Sequence, residues 1–322
     1  MLDVNEIYNA DCLQVMQDIP DKSIQLIILD PPYFETKGDF DFIWDSFEDY
    51  LKDVEKWALA CKRVLADNGT MFWFGSSKRI AYSQVILDKY FNLENSIVWE
   101  NTNDHKQQIR FSEDLRSFAP LTERILMYGS LAQDTTGLKE VEKEYIAPRN
   151  PFAKELKKGR LKKGVSINAV AEYGKFYGNV NHGGSVTNWE RGYNIPSKEH
   201  WKILCDNLPI ERTEYDALRT EYEHLRRPFN NALHLGDVIR LPNYETSDYD
   251  HDTIKPEKLT RILITTCSRK NDLVVVPFAG SGTECAMSAK EGRNFIGFDI
   301  EQKHVDTSNR RCFEILRQPQ LF

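Results

Sequence analysis

The sequence predicts an α/β fold, a doubly wound and mostly parallel sheet with an inserted polar, partly helical region. Three observations point there. Short, continuous apolar runs such as residues 24–29 and 273–276 suit strands buried on both faces of a parallel sheet. Segments with apolar residues at helical spacing alternate with these runs. A more polar stretch, 131–245, separates two such regions, 1–130 and 246–322, as an insertion between two parts of one sheet would.

In the first region, residues 24–29 (Ile-Gln-Leu-Ile-Ile-Leu) predict a buried strand running into Asp30-Pro31-Pro32-Tyr33. Val54, Trp57, Ala58, Cys61, Val64 and Leu65 then predict a helix, with Asn68-Gly69 as its stop. Residues 70–74, 96–99 and 124–128 predict further strands. In the last region Pro256 opens a helix carrying Leu259, Ile262 and Leu263 on one face. A strand at 273–276, a glycine-containing loop, a helix to about Glu291, a strand at 295–298 and a final amphipathic helix complete the pattern. The middle holds seven basic residues against one acid over 149–163, a local charge of +6. A helical stripe of Tyr215, Leu218, Tyr222 and Leu225, ended by Pro228, follows it.

Of the 322 residues 41% are hydrophobic, which is ample for a core and excludes intrinsic disorder. No apolar run approaches the ~20 residues of a membrane span. The acidic start lacks a basic-then-apolar signal segment, so a cytoplasmic protein is expected. Six scattered cysteines without a CxxC pair argue against a zinc site or disulfide framework, and read as core residues of a protein in a reducing compartment. The net charge of −7 does not exclude nucleic acid, because a local basic face is enough to hold it.

Three places carry chemistry. In the loop Phe278-Ala279-Gly280-Ser281-Gly282-Thr283, glycines allow close approach of a ligand to the backbone, and amides at the helix start favour an anionic group. Asp299, nineteen positions after Gly280 at the end of the next strand, can hold two ribose hydroxyls. The loop lacks a Gly-Lys-Ser/Thr ending, so nothing suggests a triphosphate; a plain tight turn is the simpler alternative. At Asp30-Pro31-Pro32-Tyr33 the prolines fix the backbone so that one carboxylate, carbonyls without competing amides and an aromatic ring stand at the ligand edge of the sheet. Such a corner can accept hydrogen bonds from an amino group. Asp11 is read on its own as a helix cap.

Together these residues resemble the β-class amino-methylating DNA methyltransferases. The tetrapeptide 30–33 matches their catalytic motif, 278–283 their cofactor loop, and His251-Asp252-Thr253-Ile254-Lys255-Pro256 the segment before that loop. The order, catalytic motif first and cofactor loop last, is similar to that class, in which the sheet is circularly permuted. Two positions depart from the pattern: Val276 stands where Asp usually precedes Pro-Phe, and Asp252 where Pro often follows His. The resemblance implies S-adenosylmethionine as cofactor and double-stranded DNA as substrate, with the target base flipped out and no metal. It implies a possible homodimer, although no stripe in the sequence identifies an interface.

By the same resemblance Asp30, Pro31, Pro32 and Tyr33 are catalytic. Asp11, Asp30, Thr253, Lys255, Phe278, Ala279, Gly280, Ser281, Gly282, Thr283 and Asp299 hold the cofactor, and Tyr33 and Phe34 line the pocket for the target base. Asp at the first motif position implies adenine N6, with cytosine N4 as the alternative; a DNA-binding relative with a vestigial cofactor pocket is the non-enzyme alternative. The middle region stands where that class keeps target recognition. Lys154, Lys157, Lys158, Arg160, Lys162 and Lys163 are the leading phosphate contacts there, against the plain alternative of a solvated loop. Arg219, Arg226 and Arg227 are further DNA-facing candidates, and His182, Asn188 and Trp189 are candidate base readers.

Overall fold

The computed structural model describes residues 2–34, 43–102, 116, 118, 120–130, 145–176, 184–242 and 255–317. The chain opens with strand β1 (Glu6–Asn9), a one-turn helix α1 (Cys12–Val15) capped by Asp11, and strand β2 (Ile24–Leu29). Helix α2 (Phe47–Val64) starts at Ser46, whose hydroxyl accepts from the Asp49 N–H, and buries Tyr50, Val54, Trp57, Ala58, Cys61 and Val64. It ends before Asn68-Gly69, because Leu65 already pairs with Ile24 in strand β3 (Leu65–Ser76). The turn pair instead occupies an irregularity in that strand, where a Cβ on Gly69 would lie 3.0 Å from the Ile24 carbonyl oxygen. Helix α3 (Ile80–Leu87) and strands β4 (Asn92–Asn101) and β5 (Thr122–Gly129) follow.

Residues 133–227 form one compact unit. Its described helices are α4 (Pro151–Lys163), α5 (Ile167–Gly174), α6 (Gly184–Glu190), α7 (Lys198–Asn207) and α8 (Tyr215–Leu225). Phe152, Leu156, Trp189, Trp201 and Leu218 are central to its core. The buried Asn150 side chain accepts from the Phe152 and Ala153 N–H groups and donates to the Gly192 carbonyl, tying the start of α4 to a distant turn. The basic stretch is therefore a capped helix rather than a loop.

The chain then rejoins the first unit, 1–132 with 228–322. Strand β6 (Val238–Leu241) pairs with β4, so residues 228–242 belong to the sheet unit although their composition reads with the polar middle. Helix α9 (Glu257–Cys267), strand β7 (Leu273–Val276), helix α10 (Thr283–Lys290), strand β8 (Asn294–Asp299) and helix α11 (Gln302–Arg317) complete it.

The eight strands run β1-β8-β7-β2-β3-β5-β4-β6. All neighbours are parallel except at β5, which runs against both β3 and β4. Two apolar layers cover the sheet. Leu26 and Ile28 face a core with α9, α10 and α11; Ile27 and Leu29 face the other core with α1, α2 and α3. None of the described helices is long and apolar enough to cross a membrane.

Candidate active site

Parallel pairing puts the carboxyl ends of β1, β8, β7 and β2 at one edge of the sheet, the edge at which α/β proteins bind ligands. Asp11, Asp299, the loop after β7 and Asp30 all follow these ends. Because β5 is antiparallel, its beginning lies there too, and Ser76 pairs with Glu123. Glu123 is thereby brought to Asp30 from far along the chain.

Four side chains meet at Asp30. The Lys255 ammonium lies 2.7 Å from Asp30 Oδ2 and 3.4 Å from Glu123 Oε2. The Tyr33 hydroxyl donates to Asp30 Oδ1 and lies 3.4 Å from Glu123 Oε2, while Lys255 Nζ is 3.3 Å from the Tyr33 oxygen. Lys255 is 6% exposed, so burial disfavours its charge; the Asp30 and Glu123 carboxylates outweigh that and raise its pKa. The Tyr33 hydroxyl is held well above its ordinary value by burial, with Asp30 and Glu123 adding to the effect, and stays a donor.

Lys255, expected at the cofactor, is paired with the Asp30 carboxylate. Thr253 lies outside the described residues. The rings of Tyr33 and Phe34 are not brought together: they are buried in opposite cores, at 7% and 6% exposure. The cause is local, since Phe34 takes a left-handed φ of 59° and its ring packs with Trp44, Phe47 and Tyr50 beneath the Arg79 guanidinium. Both rings are buried, and the Tyr33 hydroxyl is directed at Asp30.

The loop after β7 is shaped from two sides. The Asp299 carboxylate accepts from the Gly280 N–H at 2.8 Å and from the Glu301 N–H at 2.8 Å. Gly280 and Gly282 take φ of 48° and 71°, and a Cβ on Gly282 would sit 2.6 Å from the Ser308 Cβ. Glycine at 282 thus lets the loop lie directly on α11. Ser308 donates to the Gly280 carbonyl, and Arg311 donates to the Ser281 carbonyl and to the Thr283 hydroxyl. The Ser281 and Thr283 hydroxyls, 3.1 Å apart and buried, belong to this scaffold, where Arg311 donates to Thr283. Ala279 is buried as well, and half-buried Phe278 packs edge-on against Trp57. Asp11 caps α1, accepting from the Leu13 N–H at 2.8 Å, and Ala10 hydrogen-bonds to the Asp299 carbonyl.

Two buried residues beside the loop carried no warning in the sequence. Arg311 is held by Glu257 at 2.6 Å. Glu284, 5% exposed in the first turn of α10, has an oxygen, Oε1, without a hydrogen-bond partner among the described residues. Burial, and secondarily Asp30, raise its carboxyl from 4.5 to about 7, against the opposing pull of Lys255 and Arg311.

On α4 the basic side chains separate into two groups. Lys158 pairs with Glu211 at 2.6 Å, Lys162 lies 3.9 Å from the same carboxylate, and Lys163 donates to the Asn207 carbonyl. Arg160 forks onto Glu190 at 2.5 and 3.1 Å. Lys154 and Lys157 instead line a surface cavity of about 500 Å³ with Arg191 and Tyr193. Arg219 and Arg226 pair with Glu223. Trp189 is a core residue packed on Phe176 and His200; His182 lies outside the described residues. All six cysteines are free, five of them buried.

The chain is similar to several known DNA methyltransferases. The chain is 27% identical over 311 residues to the type II methyltransferase M1.MboII of Moraxella bovis, covering 96% of each. It is 26% identical to the DNA adenine methyltransferase YhdJ of Escherichia coli K12, covering 95% of this chain and 81% of that one. Among solved structures, the cytosine-N4-specific PvuII DNA methyltransferase matches 98% of this chain and 87% of its own, with TM-score 0.53 at 14% identity. A putative DNA modification methylase of Thermus thermophilus, TTHA0409, solved with S-adenosyl-L-methionine, matches 98% and 97%, with TM-score 0.52 at 15% identity. At these identities the structural likeness is one of fold. The family match itself extends over residues 24–310, and by it the chain belongs to the N6/N4 family of site-specific DNA methyltransferases, whose methyl donor is S-adenosylmethionine.

Proposed function

We propose that the enzyme methylates the N6 amino group of adenine in duplex DNA, in the cytoplasm, with the target base turned out of the helix. The observation that carries the reading is the Asp30 carboxylate, fixed at the ligand edge by Tyr33 and Lys255 next to the loop after β7. Asp rather than Ser at this position supports adenine over cytosine N4, and so does the adenine methyltransferase named among the relatives.

The residues fit the methyl donor. Gly280 and Gly282 give a close-approach backbone, Asp299 stands at the end of β8 for ribose hydroxyls, and the orphaned Glu284 oxygen lacks a donor that a cationic ligand would bring. When bound, S-adenosylmethionine supplies a methyl group on a positively charged sulfur.

The chain's own work is on the acceptor. An exocyclic amino nitrogen is a poor nucleophile because its lone pair is delocalised into the ring. Hydrogen bonds from that amino group to the Asp30 carboxylate and the Pro31 carbonyl favour the pyramidal nitrogen that can attack, and holding it in line supplies much of the acceleration. Lys255 already lies 3.4 Å from Glu123, so it has a second acceptor to lean on as the amino group takes up Asp30 Oδ2. Extrusion of the base costs a few kcal/mol of unstacking and unpairing. Lys154, Lys157 and Arg191 are the phosphate contacts this reading favours.

The test is transfer of label from S-adenosylmethionine to unmethylated genomic DNA, followed by digestion to nucleosides. N6-methyladenine is the expected product. N4-methylcytosine would keep the mechanism and replace the base, and label in RNA alone would overturn the substrate.

A further inference from the structure

We infer that the Glu284 carboxylate receives the α-ammonium group of the bound cofactor. The inference rests on the cofactor of the family and not on which base is methylated.

Glu284 is an expensive residue to keep without a ligand. It is 5% exposed, and its Oε1 meets no donor among the described residues, although an unsatisfied buried acceptor opposes folding. The cations near it are engaged elsewhere. Lys255 is shared by Asp30 and Glu123. Arg311 is taken by Glu257, the Ser281 carbonyl and the Thr283 hydroxyl. Asp30, Glu123 and Glu284 thus face a single ammonium, Lys255, and the cluster has an excess of negative charge when all are ionised.

Its place in the fold selects the ligand group. Glu284 begins α10 directly after the loop. None of residues 276–283 is acidic, and Val276 closes β7 with an aliphatic side chain. Asp299 spends its carboxylate on the Gly280 and Glu301 amides. Glu284 is therefore the carboxylate of the loop–helix junction with an oxygen, Oε1, that still lacks a donor among the described residues. Of the two cationic groups of the cofactor, the sulfonium carries no N–H, whereas the ammonium carries three donors. An orphaned acceptor is satisfied by the second.

The test is calorimetric binding to the full-length enzyme of two ligands without a sulfonium. S-adenosylhomocysteine carries the ammonium, and 5′-methylthioadenosine lacks the whole amino-acid part. Glu284→Gln should weaken S-adenosylhomocysteine by about 10- to 100-fold and leave methylthioadenosine within about twofold, as loss of one charge-assisted hydrogen bond implies. Unchanged affinity for both ligands would overturn the assignment. Equal loss of both would overturn it too, because Glu284 would then serve only the shape of the loop.

A second measurement needs no variant. The carboxylate must be ionised to accept the ammonium, and Asp30, Lys255 and Arg311 are the charged groups that set its titration. Wild-type affinity for S-adenosylhomocysteine should rise with pH up to about 7 and then level, while that for methylthioadenosine stays flat. Parallel profiles would overturn the proposal. A wild-type enzyme that binds neither ligand at any pH would instead remove the cofactor assignment beneath it.

Discussion

Lys255 Nζ stands 2.7 Å from Asp30 Oδ2, so the carboxylate that the proposed mechanism offers to the substrate is already held by the protein. The pair links the end of β2 to the segment entering α9 and has Glu123 as a third member. Removing one partner of a buried pair leaves the other charge uncompensated. Lys255→Met should therefore cost about 3 kcal/mol of stability. Combining it with Glu123→Gln should restore part of that loss, as read in a urea double-mutant cycle. A Lys255→Met variant as stable as wild type would show the pair to be incidental.

Asp30→Asn should lower the single-turnover methylation rate by about a hundredfold or more, because a neutral amide loses the charge that stabilises the developing cation. Tyr33→Phe keeps the buried ring and removes only the hydroxyl that orients Asp30, so it should be milder, about tenfold. If Tyr33→Phe proved the more damaging, the ring would have a role beyond holding the carboxylate.

Glu284 predicts a pH signature in the ligand-free protein. Its carboxyl stays protonated in the folded state up to about 7, where the unfolded chain has ionised from 4.5 upward. The stability linked to it is fully present below 4.5 and is lost as pH rises to about 7, a total of about 3 kcal/mol. Glu284→Gln abolishes this titration, so the stability of the variant relative to wild type should climb over the same window. Urea midpoints at acidic and alkaline ends measure it, and an identical difference at both ends would refute the shift.

On α4, Lys154→Gln with Lys157→Gln should flatten the salt dependence of DNA binding by about 0.9 in log–log slope for each phosphate contact removed. Lys158→Gln should change it less, since Glu211 already neutralises that ammonium. The reverse ranking would move the DNA contact to the other side of the helix.

How much of this was legible in the sequence follows from how local each cause is. Asp30, Asp299 and the loop at 278–283 announce themselves because a strand end, two prolines and glycines at fixed spacing are short-range signals. Glu123 was silent because its arrival depends on β5 running antiparallel, a property of the whole sheet. Glu284 looks like any acid in a first helical turn until its burial beside Asp30, Lys255 and Arg311 is known. Asn68-Gly69 is a sound turn signal, yet pairing of Leu65 with Ile24 ends the helix first. The opposite burial of Tyr33 and Phe34 turns on one positive φ, which no residue pattern at Phe34 foretells. On the basic helix, charge was visible in the sequence and its neutralisation by Glu190 and Glu211 was not.

The strand order also sets when the enzyme comes into being. β2 finds β3 soon after synthesis, but its other flank waits for β7, and Gln25 accepts from the Leu273 amide across 248 residues. β1 pairs with β8, the last strand among the described residues, where Asn5 and Phe295 meet across 290 residues. Pairings this distant form slowly and leave the β2 edge open on a growing chain, where chaperones or unwanted strands can reach it. A ribosome that stalls before residue 294 releases a product without β8 and Asp299. Such fragments lack Asp299, so under the function proposed above no methyl transfer is expected of them.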